Sequence, residues 1–474
     1  MHQARRTGEA GAASIEAYFA AETDDPLAGA FAGKRAVHPF LGMRPVPDGD
    51  RPATWAAMRS GRRDGKSVAY IHVPFCENHC LFCGFYQNPW RASDGPAYAD
   101  AVVADLARDR DAPCQASGPV HAVYFGGGTP SALAGRDLAR MIEAATRYLP
   151  LAGDYEITVE GRVHGFDDEK VAACLDAGAN RFSIGVQSFD ERLRRRLGRK
   201  AGRREIVSFL ERLVAGDRAA IVIDLIYGLP EQSLDDLEAD IRMAAATGID
   251  GLDLYSLNLI PGTPLIPALE RGKFSRPVEP GRLGSYFERG SQVLAAHRWE
   301  GISTSHWRRT TRERNLYNLL VKTGASCLAF GSGAGGFLDG RSYRVDRDLG
   351  RYLATVGAGE APVTHIMAQA PHHALLNAIK GGMESGRLDI AQATAALAGI
   401  GGATIAAAIQ PLLEQWCRAG LLRLSDGWLE LTLAGRFWQV SMTQRLIEWI
   451  NHNIEAGIPS ARTLSTAEPT GETV

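Results

Sequence analysis

The segment that decides the fold is Tyr70-Ile-His-Val-Pro-Phe-Cys76-Glu-Asn-His-Cys80-Leu-Phe-Cys83-Gly-Phe-Tyr86, in which an apolar, strand-like run leads directly into three cysteines. Cys76, Cys80 and Cys83 follow the spacing C-x3-C-x2-C. Thiolates are the usual protein ligands of iron–sulfur clusters, and a cubane cluster has four irons. Three closely spaced cysteines leave one iron open to a small molecule. The spacing therefore predicts a catalytic [4Fe-4S] cluster.

A zinc site and a disulfide framework are the two alternative interpretations of these cysteines. His79 stands between Cys76 and Cys80, so a zinc site with three cysteines and one histidine is conceivable, although four such close ligands would crowd a tetrahedron. A disulfide framework is disfavoured because seven cysteines in 474 residues is an odd, sparse count. The remaining cysteines are predicted to be buried small hydrophobes, and they are Cys114, Cys174, Cys327 and Cys417.

The composition of the chain predicts a cytoplasmic enzyme. Its 474 residues, 45% of them hydrophobic, are enough for several domains with sizeable cores. A net charge of −2, from 52 basic and 54 acidic residues, argues against a nucleic-acid partner. No apolar run approaches the roughly 18 residues of a membrane span. Residues 1–30 lack the apolar core of a signal peptide, and an oxygen-sensitive cluster favours the cytoplasm.

Apolar, β-branched runs alternate along the chain with segments of helical period. Strands are predicted at 67–73, 121–125, 156–160, 181–185, 219–227 and 251–259, and helices at 98–108, 132–148, 167–177, 204–215 and 234–247. Alternating units of this size imply parallel pairing with right-handed crossovers. Six such units predict an α/β fold, a partial (β/α)6 barrel, with its chemistry at the carboxyl ends of the strands.

Glycine and polar residues follow the predicted strands, at the edge where a site is expected. Gly126-Gly127-Gly128-Thr129-Pro130 follows the second strand, and its glycines allow backbone N–H groups to approach a ligand closely. The segment lacks the patterns of a P-loop and of a dinucleotide-binding turn. The polar residues near other strand ends are Glu160, Gln187, Arg199 and Asp224. Each one singly has a structural explanation, such as capping, but together they indicate a binding site.

These segments resemble the radical S-adenosylmethionine (SAM) superfamily. The resemblance rests on the three cysteines, with Phe82 before the last, and on Gly126-Gly-Gly-Thr-Pro130. It extends over about residues 66–340 through Tyr70-Ile-His-Val-Pro74, Ser183-Ile-Gly-Val-Gln187, Gly198-Arg199, Asp224-Leu-Ile-Tyr-Gly-Leu-Pro230 and Gly331-Ser-Gly333. Together they look like the branch that contains oxygen-independent coproporphyrinogen III dehydrogenase and the haem chaperone HemW.

Within that branch, four segments look most like haem-utilisation enzymes of the HutW/ChuW (anaerobilin synthase-like) type. They are Cys83-Gly-Phe-Tyr-Gln-Asn-Pro89, Val159-Glu-Gly-Arg162, Asn315-Leu-Tyr-Asn318 and Phe330-Gly-Ser-Gly-Ala-Gly-Gly336. This resemblance implies a methyltransferase that opens the haem macrocycle anaerobically and releases iron and a linear tetrapyrrole. The alternatives are a coproporphyrinogen III dehydrogenase and a haem chaperone without turnover. A flavodoxin- or ferredoxin-type protein would supply the electron.

The resemblance also implies roles for single residues. Cys76, Cys80 and Cys83 would ligate the cluster, whose open iron would bind the amino and carboxylate groups of SAM. Gly127, Gly128 and Thr129 would hold the methionyl end, and Phe82 would pack beside the adenine. The residues around the nucleoside and a second SAM, which a methyltransferase needs as methyl donor, would be Tyr70, Glu160, Gln187, Arg199, Asp224 and Asn258.

A flat, apolar substrate with carboxylate edges needs apolar or aromatic walls and basic groups. Ser305-His306-Trp307-Arg308-Arg309 offers both, and His306 is the predicted iron or substrate contact. The alternative is a packed tryptophan beside a solvated basic turn. Tyr86 and Gln87, just after the cysteines, are also predicted to contact the substrate. Three further histidines are predicted to be surface or core residues, namely His365, His372 and His373.

Composition and periodicity also predict domain boundaries. Residues 1–62 form an N-terminal arm with a helix near 14–21, and residues 63–365 form the catalytic barrel with its extension. Residues 366–456 form a mostly helical domain that resembles the winged-helix-like domain of this branch. Its predicted elements are helices at 374–383, 389–398 and 405–419 and a hairpin at 421–433. Residues 457–474, rich in Thr, Ser, Ala and Glu, are predicted to be disordered.

Overall fold

The chain forms two compact units in the computed structural model, which describes residues 14–35, 43–275, 278–369, 372–391, 393, 395 and 402–455. The larger unit spans residues 43–369, and the smaller one combines residues before 43 with those after 369. The larger unit contains the six predicted strands and the three cysteines of the C-x3-C-x2-C segment.

A 13-stranded mixed sheet is the framework of the larger unit. Its six central strands, labelled β1 to β6, are Ser67–Val73, Val120–Gly127, Leu151–Gly161, Arg181–Gln187, Ala220–Tyr227 and Gly251–Ser256. They lie side by side in chain order and pair in parallel. The predicted α/β fold with six parallel strands is confirmed. Among the described residues, no strand pairing closes the sheet into a barrel.

One long helix connects each strand to the next. These helices, labelled α1 to α5, are Asp94–Arg108, Gly135–Tyr148, Asp168–Asp176, Arg203–Gly216 and Leu234–Ala246. Their bounds agree with the predicted helices to within about one turn. The start of α5 shows the local cause, since Ser233 and Asp236 form a reciprocal capping box with each other's backbone N–H groups.

The central strands are apolar along most of their length because both faces of a parallel sheet are covered. Every residue of β1 is buried except Tyr70, and every residue of β5 is buried except Asp224. Glu160, near the end of β3, is likewise half-buried within a buried run. These exceptions are residues that the sequence analysis assigned to the site.

Further strands extend the sheet at both edges. Ser326–Phe330 pairs in parallel with β1, and beyond it lie Gly335–Leu338, Arg341–Val345, Val363–Ala368 and Arg44–Pro45. Next to β6 lie His306–Arg308 and Glu300–Gly301, both antiparallel to their neighbours. Other helices of this unit are Arg51–Ser60, Pro113–Ala116, Glu191–Arg196, Leu265–Glu270, Pro280–Ala296, Leu316–Lys322 and Leu349–Gly357.

The smaller unit is mainly helical, as predicted. Its principal helices are His373–Ser385, Gly402–Arg418 and Leu433–Glu455, and its antiparallel sheet contains Arg387–Asp389, Trp428–Leu431 and Leu422–Ser425. The hairpin between the last two strands turns at Asp426 and Gly427, whose φ values of 47° and 83° suit a two-residue turn. The predicted helix at 389–398 falls largely outside the described residues.

Residues 14–35 pack on the helices of the smaller unit. The Gln415 side chain accepts a hydrogen bond from the Ala20 N–H at 2.9 Å and donates one to the Ala20 carbonyl at 2.7 Å. Trp438 Nε1 donates to the Pro26 carbonyl at 2.9 Å. The arm predicted over 1–62 is thus divided, because residues 43–62 belong to the larger unit. The helix expected near 14–21 is a short 3-10 helix, Ile15–Tyr18.

The helices in the described part of the chain include none with the length and apolar character required to cross a bilayer. The predictions for residues 1–13 and for the tail 457–474 concern segments outside the described residues.

Candidate active site

Cys76, Cys80 and Cys83 lie on the loop that follows β1, at the carboxyl edge of the parallel strands. The loop begins and ends in a short parallel pair, Phe75–Cys76 with Asn88–Pro89. Cys76 and Cys80 are buried and Cys83 is half-buried. All three thiols are free, so backbone pairing rather than a disulfide holds the loop.

Each of the three sulfurs has a polar neighbour. The pairs are Thr129 Oγ1 with Cys76 Sγ at 3.3 Å, Arg199 Nη1 with Cys80 Sγ at 3.7 Å, and the Phe85 amide nitrogen with Cys83 Sγ at 3.4 Å. Burial raises the pKa of the Cys76 and Cys83 thiols, and these polar neighbours only partly offset it. Binding of iron displaces such thiol protons. Three cysteines with hydrogen-bond donors to sulfur fit an iron–sulfur cluster.

A zinc site at the three cysteines would need His79 as its fourth ligand. Its ring stacks on Tyr86 at 4.4 Å between centroids, and its Nε2 lies 2.9 Å from the Cys83 carbonyl oxygen. In the part of the chain that the structure describes, no three His, Cys, Asp or Glu side chains are placed to hold a single metal ion.

The glycine segment after β2 packs directly against the start of the cysteine loop. The Gly128 N–H donates to the Val73 carbonyl at 2.8 Å. Gly127 has a φ of 108°, and a Cβ there would lie 2.5 Å from the His72 ring. A Cβ on Gly128 would lie 2.6 Å from the Phe75 carbonyl oxygen. Side chains at Gly127 and Gly128 are therefore excluded sterically, which lets this segment pack closely against the start of the cysteine loop.

Arg162, two residues beyond Glu160, also lies beside the cysteine loop. Its Nη2 is 3.6 Å from Cys76 Sγ and its Nη1 is 3.2 Å from Asn78 Oδ1. A narrow cleft of about 20 Å³ opens beside this guanidinium and Arg199. The motif Val159-Glu-Gly-Arg162 contains this arginine, but no role was predicted for it. Arg162 is two positions after Glu160 at the end of β3, and this spacing, which places alternate side chains on one face of a strand, could have indicated it as a site residue.

Glu160 and Asp224 bring two carboxyl groups to the same site. Tyr124 Oη donates to Glu160 Oε1 at 2.7 Å. Burial raises the pKa of Glu160 in spite of this hydrogen bond. Burial, followed by the charges of Asp253 and Glu160, raises the Asp224 pKa well above its ordinary value. A carboxyl in such surroundings favours the neutral form until a cation or a hydrogen-bond donor binds.

Gln187 and Arg199 meet at the end of β4. Gln187 has a φ of 73° and lies at an irregularity in the pairing of β4 with β5. A positive φ at a residue other than glycine is costly, and such strain is concentrated at functional sites. Arg199 donates a hydrogen bond to the Gly185 carbonyl while its other nitrogen approaches Cys80 Sγ. Arg199 thereby connects this strand end to the cysteine loop.

Tyr70 belongs to a stack of three tyrosines. Its ring lies 6.3 Å from Tyr124 and 6.0 Å from Tyr317, and those two rings are 4.6 Å apart. Tyr70 Oη is 3.1 Å from His72 Nδ1. Burial, followed by the charge of Arg347, lowers the His72 pKa to about 4, so this imidazole is neutral. The stack forms an aromatic wall next to Glu160.

Four other predicted residues lie in two loops near the cysteines. Phe82 packs against the buried residues Leu197, Ile226 and Leu229, and Asn258 is exposed on the loop after β6. Tyr86 stacks on His79 as described, and Gln87 approaches Gly333 so closely that a Cβ there would lie 2.5 Å from Gln87 Nε2. The structure brings these residues to the same edge of the sheet as the cysteines, and their individual roles stay predictions.

His306 lies in a buried ion cluster. Its Nδ1 is 2.8 Å from Asp253 Oδ1 and its Nε2 is 3.0 Å from Glu313 Oε1, although neither N–H points straight at its oxygen. Burial alone lowers the pKa of His306, but the two carboxylates outweigh it and raise the pKa to about 9. Arg181 completes the cluster with two hydrogen bonds to Glu313, at 2.9 and 3.0 Å.

Both ring nitrogens of His306 thus face carboxylate oxygens, and the prediction that His306 contacts iron or substrate stays a prediction. The side chain is also fully buried. Trp307, its neighbour, is a packed tryptophan, in line with the alternative interpretation of this segment. His365 is exposed and His372 is half-buried, with its Nε2 2.6 Å from Asn451 Oδ1.

Sequence reasoning missed several residues that the fold brings into or beside the site. They are His72, Tyr124, Arg162, Arg181, Asp253, Glu313 and Tyr317. His72 and Tyr124 belong to strands that were predicted correctly, so alternation from Tyr70 and Gly126 was a usable signal. Tyr317 stands in the motif Asn315-Leu-Tyr-Asn318, although no role was predicted for it, whereas no local pattern pointed to Glu313.

Comparisons with known proteins agree with this site. The model of the radical SAM superfamily matches residues 70–244. Anaerobilin synthase of Escherichia coli O157:H7 is 43% identical over 435 residues, which cover 91% of this chain and 95% of that protein. The haem chaperone HemW of Synechocystis is 30% identical over 62% of this chain and 72% of its own length.

A solved structure shows the same fold. Coproporphyrinogen III oxidase (HemN) from Escherichia coli, described as a radical SAM enzyme, matches with a TM-score of 0.70 and 20% identity over 83% of this chain and 93% of its own. The three cysteines, the glycine segment and the family match agree on one cofactor set, a [4Fe-4S] cluster and SAM. The chain therefore belongs to the radical SAM superfamily of enzymes, in the family that includes anaerobilin synthase.

Proposed function

We propose that this protein is a radical SAM methyltransferase that opens the haem macrocycle in the absence of oxygen, with release of iron and a linear tetrapyrrole. The observation that carries the proposal is the 43% identity to anaerobilin synthase over 91% of the chain. The match covers most of both chains, whereas the match to the HemW of Synechocystis covers 62% of this one. We therefore base the proposed substrate class on the match to anaerobilin synthase, which covers more of this chain.

The residues of the site divide the work of binding. Cys76, Cys80 and Cys83 would hold three irons of the cluster, and we assign the methionyl end of SAM to the segment of Gly127, Gly128 and Thr129, which packs against the start of the cysteine loop. When bound, the cluster and SAM supply a 5′-deoxyadenosyl radical, and a second SAM supplies the methyl group. The protein holds these groups in place and excludes water from the radical.

The polar residues at the strand ends suit a sulfonium cofactor with hydroxyl groups. Burial raises the pKa of the Glu160 and Asp224 carboxyl groups. A cation bound beside them would favour their ionised form and would be attracted by the carboxylate charge. We assign Gln187 and Arg199, together with these carboxyls, to the nucleoside and to the second SAM. The aromatic wall of Tyr70, beside Glu160, suits the same pocket.

The electron comes in this proposal from a low-potential flavodoxin- or ferredoxin-type protein, and the enzyme works in the cytoplasm, where its cluster is protected. Tyr86 and Gln87 lie shortly after the last cysteine and are proposed substrate contacts. A coproporphyrinogen III dehydrogenase and a haem chaperone are the competing functions, since relatives with those names share parts of the chain.

One anaerobic experiment distinguishes these functions. The reconstituted enzyme is incubated with haem, SAM and a reductant, and the products are separated by chromatography and mass spectrometry. We expect loss of the haem absorption band together with 5′-deoxyadenosine and S-adenosylhomocysteine. Unchanged haem beside an intact cluster would refute the proposal. Carbon dioxide release from coproporphyrinogen III would identify the dehydrogenase, and stoichiometric haem binding without SAM cleavage would identify the chaperone.

A pair of cysteine variants controls for the cluster. Cys76→Ala is expected to lose the brown absorption of the cluster and all SAM cleavage, because one iron loses its ligand. Cys174→Ala is the matched control, since Cys174 is a buried cysteine of α3, away from the cysteine loop. Retention of cluster and SAM cleavage in Cys76→Ala would show that the ligand assignment is wrong.

A further inference from the structure

Large apolar side chains are exposed at one place on the larger unit. Four lie at or after the carboxyl ends of β1 and β6, namely Phe85, Tyr255, Leu259 and Ile260, which are 69%, 41%, 43% and 38% exposed. We call these four residues the mouth patch. In the described part of this unit, Val321 is the other large apolar residue exposed to this degree, at 36%. A cluster of exposed apolar side chains is typical of a surface that binds a ligand or a partner.

The two segments that carry the mouth patch are in contact. A Cβ built on Gly84 would lie 3.1 Å from Ile260 Cδ1, so the backbone beside Phe85 packs against Ile260. The Leu265 N–H donates to the Leu81 carbonyl at 2.9 Å, which ties the same two segments together a few residues away. The segments that carry Phe85 and Ile260 therefore lie side by side.

The mouth patch borders the site that holds the cluster and SAM. The Phe85 amide nitrogen is 3.4 Å from Cys83 Sγ, so this residue lies directly beside the proposed cluster ligand. Tyr255 comes two residues after Asp253 on β6, so both side chains share one face of the sheet and Tyr255 is nearer the carboxyl end. Asp253 pairs in register with Asp224. The apolar surface thus continues into the polar site.

We propose that the mouth patch binds the flat, apolar face of the tetrapyrrole, with the Phe85 ring stacked on the macrocycle. The inference rests on the proposed function, and it names the surface that this function needs for its substrate. A macrocycle is an apolar disc whose charges lie at its carboxylate edge, and the four residues carry no charge. Aromatic rings favour offset stacking on such a disc. The patch selects the face of the disc and leaves the carboxylates to solvent or to basic residues at the rim.

The test is an anaerobic titration of the SAM-bound holoenzyme with two probes, haem and metal-free protoporphyrin IX, followed by absorption. Phe85→Ala and Ile260→Ser are compared with Val321→Ala, the matched exposed apolar residue outside the patch. Loss of a stacked phenylalanine is expected to weaken binding of both probes by about tenfold to a hundredfold. Val321→Ala is expected to bind like the wild type, and cluster absorption checks folding in every variant.

The outcomes separate the inference from the proposed function. Wild-type affinity for both probes in Phe85→Ala and Ile260→Ser overturns the mouth patch, even where haem is still consumed. An equal loss in Val321→Ala, or no probe binding by the wild type, overturns it too. Weakened binding in the patch variants supports the surface, and if haem is then bound but never consumed, the proposed function fails while the surface stands.

Discussion

His306→Gln removes a buried imidazolium held between Asp253 and Glu313. Burial alone would lower the pKa of His306, but the two carboxylates raise it from 6.5 to about 9. A rise of that size corresponds to about 3 kcal/mol of stabilisation of the folded state. Because the folded pKa exceeds the unfolded one, the contribution is fully present below pH 6.5 and is lost as the pH rises through 9.

Urea unfolding under anaerobic conditions measures this contribution. The wild type and His306→Gln are compared at about pH 6 and about pH 9.5, on either side of the two pKa values. We expect the stability difference between them to shrink by about 3 kcal/mol at the higher pH. His297→Gln, a change at an exposed histidine, is the matched control and should follow the wild type. A change in the difference of less than about 1 kcal/mol would refute the assigned charge of His306.

Three more predictions concern the site. Arg162→Gln removes a positive charge near Cys76 Sγ, so the midpoint potential of the cluster should fall. We expect a fall of about 59 mV, a tenfold change in the one-electron equilibrium, as measured by potentiometric EPR. An unchanged potential would contradict an electrostatic role of Arg162 at the cluster. Gly127→Ala should retain the cluster but lose SAM binding in equilibrium dialysis, because its Cβ would collide with His72; wild-type affinity would exclude a role for this backbone. Gln187→Gly relieves a positive φ, so unfolding stability should stay within about 1 kcal/mol of the wild type while SAM affinity falls; unaltered affinity would remove Gln187 from the site.

The periodic part of the fold was accessible from the sequence. The six strands and five helices are read correctly because a buried parallel strand is a continuous apolar run and each crossover helix repeats its apolar residues every three or four positions. The parallel strand Ser326–Phe330 was missed because the helix before it, Leu316–Lys322, is short, so the pair lacks the regular alternation of a strand with a long helical segment. The long helix Leu433–Glu455 was also missed, because its buried residues lie on several sides and show no clear stripe.

His306 shows why single site residues are harder to predict from the sequence than strands and helices. His306 stands in a Trp-Arg-Arg context that looks like a substrate surface, and nothing local indicates that Asp253 and Glu313 enclose it. Asp253 lies far from His306 along the chain and meets it through the antiparallel pairing of His306–Arg308 with β6, whereas Glu313 follows His306 on the same connection. Long-range pairing of this kind leaves no trace in a local window.

The chain alone determined the identity of the cofactor and the edge of the sheet where it acts. Ligand spacing such as Cys76-x3-Cys80-x2-Cys83 and steric necessity such as the glycines at 126–128 are local properties, so they are legible in the sequence. Which charges are neutralised, and which apolar side chains remain exposed, depends on residues brought together from distant segments. Arg162 beside Cys76, His306 between two carboxylates, and Ile260 against Gly84 are therefore facts of tertiary structure, because packing alone sets those distances.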